Sequence, residues 1–246
     1  MIFELKDVCY KYYGQPDFAL QNISTNFDST QITGIAGENG GGKTTLMKIV
    51  LRRLIDYSGN YDIDGEVMED FTNSLAFRFR IGYSSDSSQL DEALTGFEII
   101  EIVNEIRGGT SKTLEKDLEV FRSYLHIDNW IKNKTCAEYS AGMRKKISIC
   151  AAFCGSPNYV ILDEPVNALD PISILGLENL LLYKKNLGTG ALVSSHILHF
   201  IEKIADNVLL LKTGTAKFQG KLSDLQRLYP DQDLDEIYFA LYHKAN

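Results

Sequence analysis

The stretch from Gly37 to Thr45, GENGGGKTT, constrains this chain more than any other. It fits the pattern G-x-x-x-x-G-K-[ST], with Gly37, Gly42, Lys43 and Thr44 in the four fixed places. Glycines let the backbone fold tightly enough for successive N–H groups to point into one concavity. A helix expected to begin near Lys43 adds the positive end of its dipole. Such a loop is built for phosphate. The residues Gly37, Asn39, Gly40, Gly41 and Gly42 form the cradle, and Thr45 follows it into the helix. Lys43 reaches the β- and γ-phosphates of a nucleotide, and the Thr44 hydroxyl suits Mg²⁺. The flanks agree: residues 31–36 read as a short buried strand, and Leu46, Ile49, Val50 and Leu54 form a helical apolar stripe.

A chain of 246 residues can bury a sizeable core as one large α/β domain or two small ones. Its net charge of −8 argues against a general nucleic-acid binder, which carries a basic excess. The N-terminus, MIFELK, has no basic n-region of a secretory signal. No apolar run approaches the roughly 18 residues needed to span a bilayer. The expectation is a cytoplasmic protein whose membrane role needs a partner chain. Cys9, Cys136, Cys150 and Cys154 show neither paired spacing nor nearby histidines, so reduced, structural thiols are expected rather than a metal centre.

Residues 2–12 and 19–27 read as an antiparallel strand pair preceding the glycine-rich loop. After the first helix, residues 59–65 read as turn–strand–turn and residues 80–84 as a further short strand. From Leu94 to Cys154 the pattern turns helical. Phe97, Ile100, Ile102, Val103 and Ile106 follow helical spacing, as do Leu114, Leu118, Phe121 and Leu125, with Gly108-Gly109 between the two helices. Strands return at 159–162, 191–194 and 207–211, each short and apolar throughout, the look of parallel strands buried on both faces. A helix over 172–185 is introduced by Asp170-Pro171. The alternation predicts an α/β fold with a parallel sheet and right-handed crossovers. Residues 221–246 read as two short helices on the outside.

Two carboxylates, Asp163 and Glu164, end the strand at 159–162. Ligands bind beyond the carboxyl ends of strands in open α/β sheets. Asp163 is therefore expected to hold Mg²⁺ and Glu164 to take a proton from an attacking water. His196 ends the next strand, where it can donate a hydrogen bond to a γ-phosphate.

Glu138-Tyr-Ser-Ala-Gly-Met143, ahead of a helix, resembles the LSGGQ signature of ATP-binding-cassette (ABC) ATPases. The similarity continues through Leu162-Asp-Glu-Pro165, Asn167-Ala-Leu-Asp170 and Ser195-His196, with Gly214 and Gly220 following, and spans nearly the whole chain in order. It implies a P-loop NTPase (RecA-like) core with a mixed, mostly parallel sheet, an N-terminal antiparallel β-subdomain and an inserted helical subdomain. The subdomains implied are 1–85 with 157–220 for the core, 86–156 for the helical part, and 221–246 for terminal helices. The resemblance assigns adenine stacking to Tyr12, with Tyr10 and Tyr13 as neighbouring alternatives. It assigns the metal carboxylate to Asp163, the catalytic base to Glu164 and the switch role to His196. Asp170 matches an aspartate that communicates between subunits. Ser140 and Gly142 cap a helix whose N–H groups would meet the phosphate held by a second copy, which implies an ATP-sandwiched dimer, most simply a homodimer.

Ala141 and Met143 are small departures from the signature. Asp86 is a larger one. It stands where the family carries a glutamine that faces Mg²⁺ and couples the ATPase to the transporter, and a few bacterial peptide-antibiotic immunity transporters resemble this chain in carrying an acid there. Aspartate keeps an oxygen ligand for Mg²⁺. The alternative is that Gln89 turns in while Asp86 is solvated. The implied function is an ATP-hydrolysing ABC transporter subunit at the inner face of the membrane, working with an integral membrane permease, with export of a drug, peptide or lipid favoured. The alternative is a soluble cassette ATPase acting on nucleic acid or ribosomes, which the acidic balance and the single cassette disfavour.

Overall fold

The computed structural model describes residues 1–67, 77 and 79–243. Its centre is the strand β3 (Ile32–Gly37), every residue of which is buried. A strand with no polar face needs cover on both sides, and the chain supplies it with two layers. β3 lies between β8 (Ala191–Ser195) and β9 (Asn207–Lys212), parallel to both. The sheet continues through β7 (Tyr159–Leu162) to β6 (Ile81–Ser84), also parallel, and ends at the other edge with antiparallel β10 (Thr215–Lys221). The expected mixed, mostly parallel sheet is thus present. The order places β3, β7 and β8 side by side, so the segments that follow them meet at one sheet edge.

A second, antiparallel sheet holds β1 (Ile2–Tyr10), β2 (Leu20–Asp28), β4 (Ser58–Ile63) and β5 (Glu66–Val67), in the order β2-β1-β4-β5. The sequence pointed to the β1–β2 pair; the pairing of β1 with β4 came from the fold. Gly59 lies within β4 rather than in a turn. Its φ of +94° and a gap too small for a Cβ against the Asp7 carbonyl mark an irregularity where β4 meets a register shift in β1.

The two faces of the large sheet carry separate cores. Ile35, Ile161, Leu192 and Leu209 pack with Phe3, Leu5, Leu46 and Met47, beneath α1 (Lys43–Val50) and the antiparallel sheet. Val160, Leu162, Val193, Val208 and Leu210 alternate to the opposite face, under the helices. Full burial of each such side chain stabilises the fold by about 1.5–3 kcal/mol. Those helices are α2 (Gly96–Ile106), α3 (Ser111–Leu125), α4 (Trp130–Asn133), α5 (Ala141–Phe153), α6 (Pro171–Asn186) and α7 (Leu198–Ile204).

Two further expectations change. Helix α1 stops at Val50, because Arg52 takes the left-handed conformation at φ +55°, so Leu54 lies beyond the stripe it was read into. Cys154 closes α5 and, like Cys150, is buried and free, as expected of a reduced structural thiol. The tail is not simply outside: Leu222 and Leu225 on α8 (Leu222–Leu228) and Leu234 and Ile237 on α9 (Leu234–His243) are buried, and the Tyr238 hydroxyl accepts a hydrogen bond from the Glu38 N–H at 3.2 Å. Among the described residues, no helix is long and apolar enough to cross a membrane.

Candidate functional site

The loop between β3 and α1 borders a cleft of about 450 Å³ lined by residues 38–45, Tyr12, Phe18, Asp86 and Glu164. Gly42 closes the loop in the left-handed region at φ +102°, and a Cβ there would meet the Ala19 carbonyl at 2.7 Å. This glycine is needed for both reasons. Lys43 opens α1 and folds back, donating to the Gly37 carbonyl at 2.6 Å and the Glu38 carbonyl at 3.1 Å. Its ammonium also lies 3.3 Å from Glu164 Oε1. That approach is an ion pair without hydrogen-bond alignment, since Oε1 is buried and accepts no hydrogen bond.

Thr44 and Asp163 meet across 119 positions of sequence, the hydroxyl donating to Oδ2 at 2.8 Å. The other Asp163 oxygen accepts from the Ser194 hydroxyl at 2.6 Å. Ser194 in turn accepts the Glu164 backbone N–H at 2.9 Å. One serine therefore ties the two carboxylate residues together. Ser194 sits in the strand β8, two residues before His196, with its hydroxyl buried and bonded. Glu164 itself is held with φ at +47°, a strained conformation for a residue with a Cβ. Strain of this kind aims the carboxylate while the strand ends. Its Oε2 accepts from His196, whose Nδ1 is 2.8 Å away.

The structure brings Lys43, Thr44, Asp163, Glu164 and His196 into one connected group. Tyr12 lines the same cleft and its hydroxyl lies 3.2 Å from Thr45 Oγ1. Tyr10 packs edge-on against Tyr12 with ring centres 4.9 Å apart, and Tyr13 is fully exposed, so of the three Tyr12 is the one that faces the loop. Asp86 also lines the cleft and accepts from Asn167 Nδ2 at 2.8 Å. Gln89 lines a different hollow with Arg53, Tyr83 and Ser148. The donors Thr44, Asp163 and Asp86 are all oxygens, a set that suits Mg²⁺.

Ser140, Gly142 and Asp170 are not in the cleft. Ser140 is exposed and caps α5, accepting from the Met143 N–H at 3.2 Å. Asp170 caps α6 through Ser173, whose N–H and hydroxyl both lie 2.8 Å from the carboxylate. These bonds hold its pKa below the usual carboxylate value.

A family model described as ABC transporter matches residues 20–167. The bacitracin transport ATP-binding protein BcrA of Enterococcus faecalis is 34% identical over 232 residues, covering 92% of this chain and 72% of that protein. The ABC-type transporter ATP-binding protein EcsA of Bacillus subtilis is 29% identical over 242 residues, covering 98% and 96%. A solved ATP-binding subunit of an ABC transporter superposes with a TM-score of 0.87 at 28% identity, covering 98% of this chain and 100% of that one.

Proposed function

This chain belongs to the ABC transporter family as one of its ATP-hydrolysing cassettes, and on that premise we propose that it powers transport through a separate integral membrane permease, at the inner face of a membrane. We read the cargo as a drug, peptide or lipid moved outward, a reading supported by similarity to a protein named for bacitracin transport. Residues 1–85 and 157–220 serve as the core, 86–156 as a helical arm and 221–246 as terminal helices.

The observation that carries the reading is the continuous bonded group Thr44–Asp163–Ser194–Glu164–His196 at the mouth of the glycine-rich loop. The triphosphate lies along residues 37–45, with the adenine against Tyr12. Lys43 leaves the Gly37 and Glu38 carbonyls to meet the β- and γ-phosphates. Thr44 and Asp163, with Asp86 from the rim, would hold Mg²⁺, which when bound neutralises phosphate charge. Glu164 Oε1, the buried oxygen that accepts no hydrogen bond, takes the proton of the attacking water. His196 orients Glu164 through Oε2 and turns its remaining ring nitrogen toward the γ-phosphate. Ser140 and Gly142 of a second copy close the site from the other side, with Asp170 near the seam. ATP thus joins two chains, and hydrolysis lets them part.

Glu164→Gln tests this directly. The amide keeps the shape and removes the base, so turnover should fall by about 10²-fold or more while ATP still binds. The variant should accumulate as an ATP-bound dimer by light scattering. A variant that stays monomeric with ATP and the permease present would overturn the two-copy site.

A further inference from the structure

Helix α5 starts at the exposed Ser140 end and runs down against β6. The residues that face β6 recur at helical spacing: Lys145 and Ser148 lie three apart, on one face. Ser148 Oγ lies 2.7 Å from Ser84 Oγ, both buried, which locks the helix to the last residue of the strand. One turn nearer the Ser140 end, Lys145 reaches past the strand. Its side chain is 2% exposed, and its Nζ donates to the carbonyls of Ser85 at 3.0 Å and Asp86 at 2.8 Å.

The position of these carbonyls explains the lysine. The ladder between β6 and β7 ends where the Asp163 N–H donates to the Ser84 carbonyl at 2.9 Å. Past that point the chain turns away and its carbonyls have no strand partner. The Ser85 carbonyl accepts from the Ser88 N–H at 3.2 Å and the Ser88 hydroxyl at 3.3 Å, and a lysine with three donors can serve this carbonyl and that of Asp86 at once. Burying an ammonium is costly. The carboxylates of Asp86, Asp163 and Glu164 lie close enough to offset part of that cost. A neutral amide would meet the same carbonyls without being drawn to this group of acids.

The Asp86 loop is also tied from the other side. The Asp86 carboxylate accepts from Asn167 at 2.8 Å. The segment holding Asn167 returns to α5, where the Ala168 carbonyl lies within 2.7 Å of the position a Cβ on Gly142 would take. Asp86 loop, Asn167 segment and α5 therefore form a closed triangle. One corner is the cleft and another is the Ser140 end.

We propose that Lys145 is a positioning residue that anchors the Asp86 loop to α5, so that the place of the Asp86 carboxylate in the phosphate cleft and the place of the Ser140–Gly142 helix end are set together. The catalytic consequence rests on the reading of the cleft as an ATP site; the anchoring itself does not. Lys145 touches no reacting atom and acts through the loop it holds.

The test uses the full chain and variants at Lys145 and Asp86. Lys145→Met keeps the aliphatic length and removes both hydrogen bonds, and Lys145→Arg restores donors. In Lys145→Met, amide hydrogen exchange across residues 85–88 should speed by about tenfold or more, the size expected for losing charge-assisted hydrogen bonds. Exchange in β3 and α1 should stay as in the parent. Lys145→Arg should recover most of the protection. In steady-state assays Lys145→Met should lower kcat for ATP by about tenfold with KM little changed, since the glycine-rich loop is untouched. Combined with Asp86→Ala, it should add little to the loss from Asp86→Ala alone. Unchanged exchange across 85–88 in Lys145→Met overturns the proposal, and so does full additivity with Asp86→Ala. If Asp86→Ala keeps parental ATPase activity while Lys145→Met still loosens the loop, the anchor stands and the reading of Asp86 as a cleft ligand falls. Should Lys145→Met fold poorly, Lys145→Leu, which also has no donor, carries the same measurements.

Discussion

The two ends of this chain's chemistry are built in opposite ways. At the glycine-rich loop the side chains join groups that are far apart in sequence. Lys43 rests on loop carbonyls beside Glu164, Thr44 bonds to Asp163, and Ser194 and His196 hold the two acids. At the Ser140 end the two capping side chains engage only their own helices: Ser140 caps Met143, and Asp170 caps Ser173. A network of long-range bonds is already shaped for its task, because packing fixes each partner. A capping side chain that bonds nothing distant leaves its outward face open to another molecule. The difference teaches which end the chain's own packing completes and which end the proposed second copy would complete.

The sharpest way to break that contrast is complementation between defective chains. Lys43→Ala should lower ATPase activity by about 10²–10³-fold, the range for losing one group that stabilises developing charge. Ser140→Arg should be comparably inactive while still binding ATP, since Ser140 lies outside the cleft. Mixed in equal amounts, the two should regain about a quarter of parental turnover, because half the pairs are mixed and one of their two sites is whole. Turnover that stays absent in the mixture would mean the Ser140 end serves its own chain.

Ser194→Ala probes the finished end. It leaves Asp163 Oδ1 and the Glu164 N–H without their partners in a buried place. An unfolding free-energy loss of about 1–3 kcal/mol is expected, together with a fall in kcat of about tenfold. Calorimetry and steady-state kinetics check the two parts. A stable variant with parental kcat would show that the link between the acids is dispensable.

The smallest effect belongs to the capped end. The Asp170 carboxylate titrates below its ordinary value because Ser173 donates twice to its ionised form. A carboxyl lowered on folding contributes stability that is present above its unfolded pKa and is lost as pH falls through the folded one. Asp170→Ser keeps a cap and removes the titration. Its melting temperature should fall less steeply than the parent's between about pH 4 and pH 2. Parallel curves would mean that this cap carries no charge-dependent part.

How much of this could be read in advance depended on how local the cause was. Gly42, Lys43 and Thr44 announce themselves because a phosphate loop is nine consecutive residues with its own backbone demands. Asp163 and Glu164 followed from the end of an apolar strand. The role of Ser194 was not readable, because a serine in a strand is ordinary until its partner is known. The same holds for Lys145, which looks like a surface lysine in Arg144-Lys-Lys146 and is 2% exposed. The tail was read as peripheral because its helices are short, and yet Tyr238 meets the glycine-rich loop at Glu38.

Sequence by itself determined the kind of chemistry: a phosphate cradle, a lysine, a hydroxyl, two acids and a histidine at strand ends, in an order that belongs to one family. Those features depend on short backbone conformations and on periodic burial, both written within a few residues. The tertiary structure decided which groups meet. It selected Tyr12 from three tyrosines, put Asp86 rather than Gln89 in the cleft, and joined Thr44 to Asp163 across 119 positions. The reason is physical. A hydrogen bond between distant residues forms where two packed layers bring their ends within 3 Å, and that distance is set by the whole sheet and its two cores rather than by either residue.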